Sequence, residues 1–329
     1  MKNNKKITII AFGLCVFLLL TFFLSFRKNN EKENRKPFET SLLNPKYNPD
    51  EFLIYDNKNA LELKFNGKFW TVNLPTNPEN QIPADQEMVK NFLEDLKNKR
   101  TVYKVADGFS ENSSDTSAQK DNFGFSDISA FHIIYYEYPT DLIFGNHDFS
   151  QKYRYFTSYR DSPSSSPVYE IDSDFEKYLS SSVQIWTEPY LLSRVVAEIS
   201  KSSEIQSVSV INKKNNQKIT LNSKNEDFAE ISSQFFELRK GGFYEEDNAT
   251  QKILELSVEM GNKSECKIQF FETENESQYL VYENYLTKDG QNFDYKTKIS
   301  GWTLQKINSL LGEPLKIAIF RGNSENAMF

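Results

Sequence analysis

Apolar positions along this chain fall into three regimes. Residues 7 to 26, ITIIAFGLCVFLLLTFFLSF, form an apolar run without a charge; at 1.5 Å per residue, about 20 residues reach roughly 30 Å, the thickness of a hydrocarbon core. The stretch from about 27 to 50 is polar and carries Pro37, Pro45 and Pro49, which reads as a tether. From Leu61 onward stretches of period two alternate with stretches of period near 3.6.

Leu61, Leu63 and Phe65 alternate, Asn66-Gly67 offers the positive φ angles of a type I′ turn, and Phe69 to Val72 returns, so a hairpin is predicted. Met88, Phe92 and Leu96 recur every four residues and predict an amphipathic helix. Residues 107 to 122, DGFSENSSDTSAQKDN, read as a loop. Strands are predicted around 131 to 137, 141 to 145, 153 to 159 and 167 to 171. A short helix follows, opened by Ser173 and Glu176 in capping-box register. A connector then turns helical from Pro189.

The order then repeats. IQSVSVINKKNNQKITL is a second hairpin, and Ser223 with Glu226 opens a helix whose face is Phe228, Ile231, Phe235 and Leu238. ILELSVEM, ECKIQFF, QYLVYENY and FDYKTKIS are four strands, and Leu304, Ile307 and Leu310 mark a last helix. The predicted fold class is α+β: an N-terminal transmembrane helix followed by two similar units, each a β-hairpin, helix, four-strand antiparallel meander and helix. The predicted divisions are a signal anchor over 1 to 28, a tether over 29 to 60, a first unit over 61 to 185, a helical connector over 186 to 204, a second unit over 205 to 315 and a tail over 316 to 329.

The apolar run ends in FLSFRKNN and not in the small residues of a cleavage site, so an uncleaved anchor is expected. Leu14 before Cys15 argues against lipidation there. Basic residues flank both ends of the run, and their count does not set its orientation. The whole chain carries −7, and its first 36 residues hold eight Lys and Arg against two Glu. The remainder is therefore more acidic than the whole, a poor match for nucleic acid. The only cysteines are Cys15 and Cys266, so there is no disulfide framework.

Two histidines are the natural place to look for acid-base or metal chemistry. His132 alternates with Ile134 and Tyr136 in a predicted strand, as a sheet residue does. His147 and Asp148 follow Gly145-Asn146 at a predicted exposed turn, with no second His or Cys at ligand spacing. Glu245, Glu246 and Asp247 form an acidic run that could hold a cation or simply be a solvated loop. Gly241-Gly242 lacks the Lys-Ser/Thr of a phosphate loop, and neither G-x-G-x-x-G nor G-x-S-x-G occurs. No catalytic, cofactor-binding or metal-ligating residue is assigned, and no cofactor is expected.

Several motifs follow one another along the chain. Trp70 and Pro75 follow the first hairpin, Pro83-Ala84-Asp85 opens the helix that ends near FLEDL, and FGF at 123 to 125 leads toward the strand with Phe131. A strand closing on Gly145, a variable turn NHDFSQ, an aromatic-rich strand at 153 to 159 and Val168-Tyr169 complete the set. Over about residues 65 to 195 the chain resembles the bacterial family called domain of unknown function 4340. It departs from that pattern in a Ser/Asp-rich loop before Phe123 and a longer turn in SYRDSPSSSPVY. The resemblance implies one inner-membrane span, a body facing the periplasm or outside, and association with ABC-transporter components of the gliding-motility type. It implies no catalytic residues. The first functional reading is a membrane-anchored, non-enzymatic accessory protein of such an envelope complex; the second is an envelope hydrolase or glycan-processing enzyme with an acidic site.

Overall fold

A computed structural model describes residues 17–18, 20–21, 37–109, 122–126, 131–135, 140–159, 166–199, 204–243, 249–261, 263–274, 277–288 and 290–311. Two antiparallel sheets carry the fold. The first contains β1 (Phe38–Thr40), β2 (Glu51–Tyr55), β3 (Ala60–Phe65), β4 (Trp70–Leu74), β5 (Asn77–Pro83), β6 (Arg100–Phe109), β7 (Phe131–Tyr135), β8 (Thr140–His147), β9 (Tyr153–Tyr159) and β10 (Ser166–Asp172). Its order is β1-β6-β10-β9-β8-β7-β2-β3-β4-β5. The second contains β11 (Ile205–Asn212), β12 (Lys218–Asn222), β13 (Gly242–Phe243), β14 (Lys252–Met260), β15 (Glu265–Glu272), β16 (Gln278–Leu286) and β17 (Asn292–Ser300), in the order β12-β11-β14-β15-β16-β17-β13.

Among the described residues helices are few and short. α1 (Gln86–Lys97) buries Val89, Phe92 and Leu96 and starts at Asp85, whose carboxylate accepts from the Met88 N–H, the bond an N-cap supplies. α2 (Val183–Trp186) and α3 (Arg194–Ile199) lie in the connector, and α4 (Phe228–Phe236) and α5 (Gly301–Leu311) in the second unit. Ser173–Tyr178 is a 3₁₀ turn capped by Asp172 and not by Ser173. α4 begins after Asp227, without the side-chain bond that Ser223 and Glu226 were expected to provide.

The predicted fold class is corrected by this architecture, which is mostly antiparallel β-sheet. The first unit opens not with a hairpin but with the four strands β2 to β5. The expected tether supplies β1 and β2, and Leu42, Leu43, Phe52 and Ile54 from it are core residues. The reason is local: Phe52 and Ile54 alternate with Glu51, Leu53 and Tyr55, and that period outweighs the prolines around it. No transmembrane helix is seen among the described residues, where no helix is long and apolar enough to cross a membrane. Phe17, Leu18, Leu20 and Thr21 are helical, and the rest of the span expected over 7 to 26 lies outside the described residues, as does the tail over 316 to 329.

Both sheets place the strand that follows the helix, β6 or β13, against the last meander strand, and the first strand of the unit against the first meander strand. The loop at Asn66-Gly67 is longer than a two-residue turn: Phe65 pairs with Trp70, Gly67 alone has positive φ, and the Asn66 side chain accepts from Lys68 and Phe69 N–H groups. One continuous hydrophobic cluster runs from Leu42 to Leu311 through both units. Trp186 sits in it against Phe92, ring centres 5.2 Å apart, and its indole N–H donates to the Ser180 carbonyl.

A second, smaller cluster of Phe125, Ile143 and Val168 explains two glycines. Gly124 has φ +73°, and a Cβ there would lie 2.4 Å from the Asn146 side chain; a Cβ on Gly145 would lie 2.0 Å from the Phe123 carbonyl oxygen. Gly145 does not close its strand, because β8 continues through an irregularity to His147. Gly145→Ala should therefore overpack this corner and cost about 1–3 kcal/mol, seen as a lower midpoint in thermal or urea unfolding. Gly261→Ala, whose Cβ would meet nothing closer than 3.6 Å, should change the midpoint little; equal effects of the two substitutions would refute the packing account.

Candidate functional site

The connector and the buried face of the second sheet enclose a polar chain. Glu283 and Tyr285 share the apolar phase of β16 with Tyr279 and Val281, while Tyr295 and Thr297 share that of β17, so alternation turns them inward. The Glu283 carboxylate accepts from the Thr297 hydroxyl at 2.9 Å and from the Tyr285 hydroxyl at 3.3 Å. Tyr285 accepts in turn from the Ser193 N–H at 2.6 Å, and the Ser193 hydroxyl donates to Glu188 at 2.6 Å. Glu188 also accepts from the N–H groups of Arg194 and Val195 at the start of α3. A relay thus joins two buried carboxylates through a tyrosine and a serine.

Lys240 completes the group. Its ammonium is buried without a hydrogen bond and lies 5.2 Å from the centre of the Tyr295 ring. Burial pushes the Glu283 carboxyl up to about 7, against the pull of the Lys240 cation and the Thr297 and Tyr295 hydroxyls, with Glu188 adding to the rise. Burial also raises Glu188, where Lys240 and the Ser193 and α3 bonds oppose it. The Cys266 thiol and the Tyr285 and Tyr295 hydroxyls are all pushed well up by burial, which keeps them protonated.

Glu283 and Tyr295 also touch a groove of about 460 Å³ at the junction of the sheets. Asn77, Glu79 and Asn80 of β5 line it from the first unit, and Lys267, Gln269, Tyr282, Asn284, Asp294 and Lys296 from the second. Its size lies in the range of ligand clefts. Asn80 crosses the junction: its side chain accepts from the Lys296 N–H at 2.7 Å and donates to the Lys296 carbonyl at 3.1 Å. Phe69 meets Phe293 nearby, ring centres 5.5 Å apart.

The residues singled out from sequence lie elsewhere. His132 is buried in β7, stacked on Tyr55 at 4.6 Å, with its Nδ1 3.6 Å from an Asp141 oxygen. His147 ends β8 with Nε2 3.0 Å from Glu176, which Arg154 also engages at 3.1 Å. Asp148 is corrected from exposed to 0% exposed: its carboxylate accepts from the Ser150 hydroxyl and the Tyr153 N–H, tying off the β8–β9 turn from within. Among the described residues no group of three or more His, Cys, Asp or Glu could hold a metal ion. Gly242 is in β13, whereas Glu245, Glu246 and Asp247 lie outside the described residues. Glu283 was the residue sequence reasoning missed, and its signal was present: it is the one charge on the apolar stripe Tyr279, Val281, Glu283, Tyr285. Glu188 and Lys240 carry no such mark.

No family model matches the chain, and no curated protein matches it either. The likeness to domain of unknown function 4340 thus rests on the residues quoted for it.

The raised carboxyl gives stability a sign with pH. Folded Glu283 binds its proton up to about pH 7, whereas the unfolded side chain releases it near 4.5, so its contribution is fully present below about pH 4.5 and is lost as pH rises through 7. That amounts to about 3 kcal/mol at most at 1.36 kcal/mol per pH unit. Unfolding free energy measured from pH 5 to 8 should fall with pH, and Glu283→Gln should flatten the fall. An unchanged slope in the variant would show that Glu283 does not titrate in this window.

Proposed function

We propose that this chain is a membrane-anchored, envelope-exposed accessory protein that works by contact with membrane proteins of an ABC-transporter-like complex. The anchor is read from residues 7 to 26, and the transporter link from the sequence resemblance. The observation that carries the contact reading is Trp302. It stands 81% exposed on α5, over an open concavity lined by Glu237, Leu238, Arg239 and Lys306. Trp and Arg are among the residue types enriched at interfaces as anchors, where a few residues hold most of the binding energy. Such an anchor needs no nucleophile and no cofactor.

One observation favours the hydrolase reading: Glu283, with its carboxyl pushed up to about 7, touches the junction groove. Enzymes tune carboxyl groups in this way for general acid catalysis. Against it, Glu283 is 1% exposed and already accepts from Thr297 and Tyr285.

A photoreactive amino acid at position 306, in full-length chain in native membranes, should crosslink to membrane proteins of the envelope, and Trp302→Ala should reduce the yield severalfold at unchanged expression. Absence of crosslinks from this face would count against the contact reading. Turnover of a peptidoglycan or glycan substrate by the purified chain, abolished by Glu283→Gln without unfolding, would replace it with the hydrolase reading.

A further inference from the structure

One surface outside the buried cluster gathers Tyr, Arg and Trp side chains on a fixed frame. Tyr190 and Arg239 face each other in an antiparallel bridge, held by the Leu191 N–H donating to the Leu238 carbonyl and the Lys240 N–H to the Pro189 carbonyl. Directly opposed residues share a face, so both side chains leave on the same side. Arg194 joins them from α3: its guanidinium lies 3.5 Å from the centre of the Tyr190 ring, and that of Arg239 lies 5.6 Å from it. The Thr303 hydroxyl donates to the Arg239 carbonyl at 3.1 Å, which fixes α5 beside this group. The concavity under Trp302, about 660 Å³, therefore continues through Arg239 onto Tyr190.

Charge decides what such a surface takes. The Glu237 carboxylate lies 2.6 Å from Arg194, so one carboxylate already sits on a guanidinium that is itself stacked on Tyr190. Arg239 packs against the same ring, and among the described residues no carboxylate meets it or Lys306. The surface thus carries two cations beyond its own ion pair, on a chain whose net charge is −7. Stacking on a ring leaves the N–H edge of a guanidinium free, and that planar fork of donors matches a carboxylate through two bonds. The recess beside Trp302 suits a protruding side chain better than a flat lipid surface.

We infer that the face of Tyr190, Arg239 and Trp302 receives an acidic segment of a partner protein. An Asp or Glu carboxylate of that segment pairs with Arg239, Lys306 adds to the attraction, and an adjoining apolar side chain lies against Trp302 in the concavity. Arginine clusters recognise acidic motifs in this way, and the exposed indole supplies the apolar contact that charge alone does not. The inference rests on the contact reading above and deepens it by naming the charge of the partner.

The probe is synthetic acetyl-Gly-Leu-Glu-Leu-Glu-Gly-amide, with its Gln-for-Glu analogue as control, titrated into full-length chain in phosphatidylcholine nanodiscs. Trp186 is buried and Trp302 exposed, so acrylamide quenching of tryptophan emission reports chiefly on Trp302. The acidic peptide should bind saturably and shield the indole, an effect absent in Trp302→Phe, and the Gln analogue should bind at least about tenfold more weakly. Arg239→Gln, shown folded by circular dichroism, should weaken binding about tenfold, and Arg239→Lys should restore only part of it, because an ammonium cannot make the paired bonds. No saturable binding at millimolar peptide, or equal binding of the two peptides, would overturn the proposal. Shielding of Trp302 by phosphatidylglycerol in the discs without peptide would assign the face to the lipid surface. Peptide binding that appears only after Glu245→Gln, Glu246→Gln and Asp247→Asn would assign it to the chain's own acidic run, and either result overturns the proposal. Crosslinks at position 306 persisting alongside a failed titration would sink the acidic-segment inference alone and leave the contact reading standing.

Discussion

The segment from Trp186 to Arg194 holds the molecule together from its middle. On one side its backbone is bonded to the first unit, with the Asp85 N–H donating to the Trp186 carbonyl and the Glu188 N–H to the Pro83 carbonyl. On the other it is bonded to the second unit, with the Leu191 N–H donating to the Leu238 carbonyl and the Lys240 N–H to the Pro189 carbonyl. Between these clamps the Glu188 side chain turns inward to cap α3. A buried carboxylate is costly unless its oxygens are satisfied, and Glu188 meets that demand with Ser193, Arg194 and Val195. The course of the connector, the start of α3 and the position of Lys240 are all consequences of where that carboxylate sits.

The interior polar chain follows from the same constraint. The Ser193 hydroxyl accepts from the Val196 N–H and donates to Glu188, while the Ser193 N–H donates to the Tyr285 hydroxyl, and Tyr285 in turn donates to Glu283. Lys240 lies among these groups with its cation facing an aromatic ring, a partial substitute for the hydrogen bonds it lacks. Removing one member would leave others buried without partners, which costs more than the bond itself contributes. The cluster therefore belongs to the packing of the second unit as much as to any chemistry at the groove.

What the sequence disclosed follows the strength of its periodicity. β14 to β17 were legible because residues such as Cys266, Ile268 and Phe270 alternate cleanly with polar neighbours over eight or nine positions. β1 and β2 were hidden because three and five residues give too short a period to stand out among prolines. The two-residue turn at Asn66-Gly67 failed for a different reason: the Asn66 side chain binds the backbone two and three residues on, which favours a longer loop. Of the candidate site, only Glu283 could be suspected beforehand, as a charge out of place on an apolar stripe. Its partners Glu188 and Lys240 come from distant segments, and no local pattern brings them together.

The three residue pairs joining β1 to β6, Phe38 to Val102, Glu39 to Thr101 and Thr40 to Arg100, have a mechanical meaning. A pull applied ahead of residue 37 loads this short ladder first, and the next firm hold is Leu43, whose side chain is buried and whose N–H bonds to the Leu96 carbonyl. Peeling β1 away would release only the few residues up to that hold, at about 3.5 Å each, before the main core felt any force. The edge strand thus acts as a tear strip, which yields a little length under load while α1 and the sheet beneath it keep their shape.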